Sequence, residues 1–97
     1  MASVTWSATA EADFEALVRF IARDSTVAAD SLRRSVLHSV RRLEDFPRAG
    51  TVVPKLERSE VREIIVGNYR VIDRLSEDQV LILTFQHGAL RLRLDPP

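Results

Sequence analysis

The stretch VREIIVGNYRVIDRL, residues 61–75, carries the strongest indication of the fold. Its two apolar runs flank Gly67 and Asn68. A Gly-Asn break between such runs predicts a tight β-hairpin, because Gly adopts positive φ freely and Asn tolerates it. Arginines interrupt both predicted strands, so the hairpin also raises the question of what these cations contact.

Further strands are predicted on either side of this hairpin. Residues 80–85, VLILTF, are apolar on both faces, so this strand is expected to lie centrally in the sheet. Residues 2–6, ASVTW, are short and contain β-branched side chains, which predicts a first strand. The tail LRLRL, residues 90–94, alternates strictly between leucine and arginine. It predicts either a final edge strand or a segment that only a partner orders.

Two amphipathic helices are predicted between the first strand and the hairpin. Ser7 and Ser25 stand where N-caps are expected, and the second helix is predicted to run to about Asp45. Apolar residues recur at helical spacing in both segments. The predicted apolar stripes are Ala10, Phe14, Leu17, Val18 and Ile21 in the first helix and Ala29, Leu32, Val36, Val40 and Leu43 in the second. The short link between the helices predicts that they pack as an antiparallel hairpin.

Two aromatic side chains border these helices. Trp6 ends the first predicted strand, and we expect it in the core at the entry to the first helix. Phe46 directly precedes Pro47, and we expect it to close the far end of the helix hairpin.

The order of elements predicts the fold class. An N-terminal strand, an antiparallel helix hairpin and then an antiparallel meander of three or four strands make a two-layer α+β fold. The length of 97 residues predicts one domain spanning residues 1–97. Because both helices are used in one hairpin, we expect one face of the sheet to lack a helical cover.

Composition narrows the functional classes. The 14 basic and 14 acidic residues balance to zero net charge, unlike a protein that grips nucleic acid unaided. Thirteen of the basic residues are arginine and only Lys55 is lysine, and arginine suits bidentate pairing with carboxylates and phosphates. The absence of cysteine excludes disulfides and thiolate metal sites. With no predicted membrane span, secretory signal, metal cluster or cofactor motif, we expect a cytoplasmic protein without a cofactor.

Three segments resemble the RelE/ParE superfamily of bacterial toxins: WSATAEADFEALVRFIARDS, LEDFPRAG and REIIVGNYRVIDRLSEDQVLILTFQHGALRL. The same elements occur in the same order across nearly the whole chain. The resemblance implies the toxin half of a type II toxin–antitoxin system. Its partner would be a cognate antitoxin encoded beside it, and it would contact DNA only indirectly through that antitoxin.

The superfamily divides into two functional branches. RelE-like members are ribosome-dependent endoribonucleases that cut mRNA, whereas ParE-like members inhibit DNA gyrase and are not nucleases. Metal-free RNA cleavage needs a base, an acid and cations for the phosphorane charge. The ribonuclease interpretation assigns these roles to Arg62, Arg70 and His87. RelE-like enzymes carry lysines on the strand before the hairpin turn, where this chain has Val61 and Glu63.

The resemblance favours the ParE-like branch and therefore a non-enzymatic inhibitor of gyrase. The sequence nevertheless differs from the family at three positions. Asp73 stands where the family usually has an aromatic residue. Gln86 and Leu90 stand where basic residues are common. A third interpretation is consequently a decayed toxin that survives as an antitoxin-binding module.

Partner contacts are predicted at cationic positions on three elements. The predicted partner-binding residues are Arg34, His38, Arg41 and Arg42 on the second helix, Arg70 and Arg74 on the second hairpin strand, and Arg91 and Arg93 in the tail. The first two groups have an alternative. The helix residues can form an ordinary solvated face, and the strand arginines can pair with Glu63 or Asp73 within the sheet.

Overall fold

The computed structural model describes residues 1–53 and 60–87, with only the backbone of His87. The elements, in chain order, are β1 (Ser3–Trp6), α1 (Ala8–Ala22), α2 (Thr26–Asp45), β2 (Thr51–Val52), β3 (Val61–Val66), β4 (Tyr69–Ser76) and β5 (Gln79–His87). The predicted helix hairpin and the three meander strands are confirmed. None of the helices in these residues is long and apolar enough to cross a membrane.

The strands of the described residues form one mixed sheet in the order β1-β5-β4-β3-β2. The pairs β2–β3, β3–β4 and β4–β5 are antiparallel, whereas β1 pairs parallel to β5, from Ser3 opposite Gln79 to Trp6 opposite Ile82. The predicted α+β architecture and the central position of β5 are therefore confirmed. The strand predicted at residues 90–94 lies outside the described residues.

Both predicted helix caps are present. The Ser7 hydroxyl accepts a hydrogen bond from the amide of Ala10 at 3.0 Å, and the Ser25 hydroxyl accepts one from Ala28 at 3.0 Å. Each cap satisfies an amide that has no partner within its own helix. The Ser7 hydroxyl also donates to the carbonyl of Leu83 at 3.1 Å, which ties the start of α1 to β5.

The main core lies between the helix hairpin and one face of the sheet. From the predicted stripes, the residues buried there are Ala10, Phe14 and Val18 of α1 and Ala29, Val36, Val40 and Leu43 of α2. Trp6 packs against this core, with its ring centroid 5.4 Å from Phe14 and 5.2 Å from Phe85. The expectation for Phe46 is wrong. Its side chain is 58 % exposed and lies under the Arg42 guanidinium, 5.9 Å from the ring centroid.

A smaller apolar cluster lies on the opposite face of the sheet. It consists of Val53, Val61 and Ile72, with Leu83 packed against it. A register shift between β4 and β5 helps to bring Leu83 there. Ile72 pairs with Thr84 and the next residue, Asp73, pairs with Ile82, so that Leu83 is the additional residue of a β-bulge.

The short strand β2 is held against β3 by a close approach at Gly50. A Cβ atom at this position would lie 2.6 Å from the carbonyl oxygen of Glu63, nearer than side-chain carbons normally come. Only glycine therefore allows the chain to pass so close to β3 before Thr51 pairs with Glu63 and Val52 pairs with Arg62.

Candidate functional site

Strand alternation separates the arginines of the hairpin into two groups. Ile64 and Val66 of β3 belong to the core beneath the helices, so Arg62 points to the same face. Ile65 pairs with Arg70 on the other face, where Arg74 also lies because it is four residues further along β4. Arg62 and Arg70 therefore occupy opposite faces of the sheet.

Arg62 contacts other parts of the fold. Its Nη1 atom donates a hydrogen bond to the carbonyl oxygen of Gly50 at 3.1 Å, which connects β3 to the residue before β2. Its Nε atom is buried and donates no hydrogen bond to the residues that the structure describes. Asp73 is the residue opposite Arg62 on β4, so the two charged side chains share the helix-facing side of the sheet. The surroundings of Arg62 are those of a structural residue in a partly buried polar pair.

Asp73 is an acidic residue in an apolar environment. Its side chain is fully buried, and neither carboxyl oxygen has a hydrogen-bond partner among residues 1–53 and 60–87. Burial raises the pKa of the Asp73 carboxyl from 3.8 to about 6, although the nearby Arg62 guanidinium lowers it in part. The sequence marked this residue as a departure from the family, and the structure shows that the departure falls within the protein interior.

Arg70 forms an ion pair within the sheet. Its Nη1 atom lies 2.9 Å and 3.1 Å from the two carboxyl oxygens of Glu63. The Arg70 side chain is 34 % exposed and the Glu63 side chain 13 %. The pairing alternative raised from the sequence is thus realised for Arg70. Arg74 is exposed on the same face and forms no hydrogen bond or ion pair with the described residues.

The predicted cationic residues of α2 do come together. Arg34, His38, Arg41 and Arg42 are exposed on this helix and border a shallow groove of about 410 Å³, here called the α2 groove. Its other lining residues are Leu37, Glu44 and Asp45. Leu37 is 42 % exposed, so the groove combines arginines with an apolar centre and an acidic end at the C-terminus of α2.

The remaining predicted site residues cannot be placed in this geometry. The backbone of His87 ends β5, but its side chain lies outside the described structure. Arg91 and Arg93, together with the departure at Leu90, belong to residues 88–97 and also lie outside it. In residues 1–53 and 60–87, no group of three or more His, Asp or Glu residues could hold a metal ion.

Sequence patterns did not predict a second concave site, here called the α1 pocket. It has a volume of about 190 Å³ and is lined by Asp13, Leu17, Phe20, Tyr69, Phe85 and Gln86. The Thr84 hydroxyl donates to Asp13 Oδ2 at 3.1 Å, which holds α1 against β5 beside the pocket. The available sequence signal was Asp13 and Phe20, which lie seven residues apart on one side of α1, but the other lining residues that complete the pocket include residues of the distant strands β4 and β5.

Solved structures share this architecture. A structure of the chromosomal ParDE toxin–antitoxin system from P. aeruginosa aligns over 90% of this chain and 96% of that chain, with a TM-score of 0.71 and 20% identity. A structure of the RelBE2 toxin–antitoxin complex from Mycobacterium tuberculosis aligns over 89% and 96%, with a TM-score of 0.62 and 20% identity. The class of fold is therefore the one found in these two systems.

The family follows from the sequence itself. The model described as ParE toxin of type II toxin-antitoxin system, parDE, matches residues 4–91, and the chain belongs to this family. A comparison with curated proteins found no match. The resemblance to the RelE/ParE superfamily is confirmed, and the protein is a ParE toxin of a type II toxin–antitoxin system.

Proposed function

We propose that this toxin acts in the cytoplasm by inhibiting DNA gyrase and that a cognate antitoxin neutralises it. The observation that carries the choice of target is the separation of the ribonuclease candidates. Arg62 and Arg70 lie on opposite faces of the sheet, so they cannot together surround one scissile phosphate. The ribosome and mRNA are therefore the less favoured partners.

The electrostatics of Arg70 support the same choice. RNA cleavage requires uncompensated positive charge where the phosphorane develops. In this chain the Glu63 carboxylate lies 2.9 Å from Arg70 Nη1 and compensates the guanidinium charge. Glu63 would also repel an approaching phosphate, and the net charge of zero gives no general attraction to ribosomal RNA.

The α2 groove is the surface we assign to a protein target. Its three arginines and His38 are exposed, and Leu37 supplies an apolar centre. Arg42 already stacks on Phe46, so the Arg42 side chain would lose less conformational entropy on binding. An acidic protein surface with an apolar contact fits this groove, and exposed arginines would guide association more than they add affinity.

A supercoiling assay with purified gyrase tests the target. We expect the toxin to inhibit supercoiling and the double variant Arg34→Glu/Arg41→Glu to lose most of this inhibition. The double variant Arg19→Glu/Arg23→Glu is the matched control, since it makes the same charge change at exposed positions in the last turn and C-cap of α1. If the unchanged toxin does not inhibit supercoiling, gyrase is not the target. If both double variants inhibit supercoiling equally, the α2 groove is not the surface that binds gyrase.

The same proteins distinguish the other two interpretations. Codon-specific mRNA cleavage in a translating extract, without gyrase inhibition, would identify a ribosome-dependent ribonuclease. Neither activity, together with tight antitoxin binding, would identify a decayed toxin kept as a binding module. Both outcomes contradict the proposed function.

Antitoxin binding is tested by co-expression with the neighbouring gene and purification through a tag on the toxin alone. We expect a stable complex. Changing Arg91 and Arg93 together to Glu should weaken it if the tail contacts the antitoxin through arginine–carboxylate pairs. Recovery of free toxin, unchanged in stability when the partner is added, would overturn antitoxin binding.

A further inference from the structure

The α1 pocket lies beside β5, just beyond the point where the pairing of β5 with β1 ends and α1 becomes its neighbour. β1 pairs with β5 only from Gln79 to Ile82. Beyond that point, the N-cap Ser7 and α1 contact β5, through the Ser7–Leu83 and Thr84–Asp13 hydrogen bonds. The pocket is therefore built by one helix and two strands, α1, β4 and β5, rather than by a loop, and its shape is formed before any partner arrives.

The walls of the pocket are largely apolar and aromatic. Phe85 is buried at its base, Tyr69 and Leu17 are half-buried, and Phe20 is 64 % exposed at its rim. An exposed phenylalanine beside a preformed apolar concavity is characteristic of a binding position rather than of a scattered surface residue. The volume of about 190 Å³ is sufficient for one large side chain, since a cavity of about 150 Å³ holds benzene.

The charge lining the pocket is negative. Asp13 is the only charged residue among the six that line it, and it is half-buried at the rim. The Gln86 Oε1 atom, on the opposite wall, is shielded and accepts no hydrogen bond from the described residues. The pocket thus combines a carboxylate, aromatic walls and an acceptor without a hydrogen bond from the described residues, and none of the described lining residues carries a positive charge.

We infer that the α1 pocket binds an arginine side chain of the antitoxin. An arginine has an apolar stem for Leu17 and Phe85, a planar guanidinium that stacks on an aromatic face, and donors for the Asp13 carboxylate. This inference rests on the proposed function, in which an antitoxin neutralises the toxin. The inference places a basic residue of the antitoxin at α1. The α2 groove, in contrast, carries arginines and is assigned to acidic groups of a protein target.

Calorimetric titration of the antitoxin encoded beside the toxin gene tests the inference. Asp13→Asn removes the charge but keeps an oxygen for the Thr84 hydroxyl, so the fold should be retained. We expect this variant to bind the antitoxin at least about tenfold more weakly, the scale of one charged contact. Glu15→Gln, on the same helix, removes an equal charge from an exposed ion pair with Arg33, and we expect about a twofold change or less.

Phe20→Ala is the second variant, because this exposed side chain can be shortened without opening the core. We expect it to weaken binding as Asp13→Asn does, with a thermal unfolding midpoint close to that of the unchanged toxin. Equal affinities of the antitoxin for the unchanged toxin and for both variants would overturn the inference while leaving antitoxin neutralisation intact. Absence of any antitoxin binding would instead refute the proposed function.

Small probes test the pocket without the antitoxin. In amide chemical-shift titrations, we expect N-acetylarginine amide to perturb Leu17, Phe20 and Phe85 with an affinity on the order of millimolar. Its neutral isostere, N-acetylcitrulline amide, should perturb them much less, and Asp13→Asn should abolish the difference. Equal shifts from the two probes would show an apolar pocket without preference for a cation and would also overturn the inference.

Discussion

Replacing Asp73 with Asn should stabilise the toxin at neutral pH and remove a pH dependence of its stability. The side chain is fully buried and its carboxyl oxygens accept no hydrogen bond from the described part of the chain, so ionisation in the folded state is unfavourable. Asn has nearly the same shape and no charge. The change therefore isolates the cost of the buried anion from any change in packing.

The magnitude follows from the two pKa values of this carboxyl. Burial raises the folded-state pKa to about 6, against 3.8 for an unperturbed aspartate. This interval corresponds to about 3 kcal/mol of unfolding free energy at 25 °C. The folded-state pKa of about 6 already contains the favourable effect of the nearby Arg62 guanidinium. The value of about 3 kcal/mol therefore describes the Asp73 anion with Arg62 beside it.

Because the folded-state pKa is raised, stability falls as the pH rises through a range set by the two pKa values. Below about pH 3 the carboxyl is protonated in both the folded and unfolded states, and ionisation costs nothing. As the pH rises from about 3 to about 7, the unfolded chain releases its proton before the folded chain does, and stability is lost, most steeply between about pH 4 and 6. Above about pH 7 the loss is complete and constant. The Asn variant should lack this decline and should exceed the unchanged toxin by about 1–3 kcal/mol at pH 7.5.

Urea unfolding, followed by the fluorescence of the single tryptophan Trp6 at several pH values from 4 to 8, measures this difference. Asp30→Asn is the control, because Asp30 is exposed on α2 and its removal changes the net charge equally. If the unchanged toxin and Asp73→Asn differ by the same amount at every pH, the Asp73 anion is not disfavoured in the folded state and the reasoning is refuted.

Three further changes test the packing and the hairpin. Val40→Asp places a carboxylate in the main core and should abolish the cooperative thermal transition. Leu32→Ala, at a half-buried position, should lower the unfolding free energy by about 1–2 kcal/mol. A normal thermal transition for Val40→Asp would exclude the described packing of α2 against the sheet. Gly50→Ala forces a Cβ against the carbonyl oxygen of Glu63 and should lower the unfolding free energy by about 1–3 kcal/mol, so an unchanged urea midpoint would contradict the close approach. Arg70→Ala leaves the Glu63 carboxylate, whose side chain is only 13 % exposed, without its cation and should lower the unfolding free energy by about 1–3 kcal/mol; an unchanged urea midpoint would show that this ion pair does not stabilise the hairpin.

Local patterns in the sequence determined most of the elements. Ser7 and Ser25 cap their helices through amides only three residues away, so the helix starts could be read from neighbouring residues. Gly67 has a φ of 59° at the hairpin turn, the conformation for which glycine is suited. The apolar stripes also identified most of the core residues, because helical periodicity and burial on one face are linked directly.

The sequence also limited the possible site without choosing it. It identified Glu63 as a possible partner of Arg70, because residues close to a hairpin turn meet across the strands. It identified Asp73 as unusual, but it did not show that this carboxyl is buried beside Arg62. It predicted that Phe46 closes the helix hairpin, yet the residue is largely exposed, and its ring contacts the Arg42 guanidinium.

Only the tertiary structure decided which distant segments meet. The parallel pairing of β1 with β5 joins residues 76 positions apart, from Ser3 opposite Gln79, and no local pattern records such a contact. The two-residue strand β2 depends on the approach of Gly50 to β3, and the bulge at Leu83 depends on the register between β4 and β5. The α1 pocket exists because α1 packs against β5 beyond the end of β1. Secondary structure was therefore readable from neighbouring residues, whereas pairing, burial of charge and pocket shape were set by contacts between residues far apart in the chain.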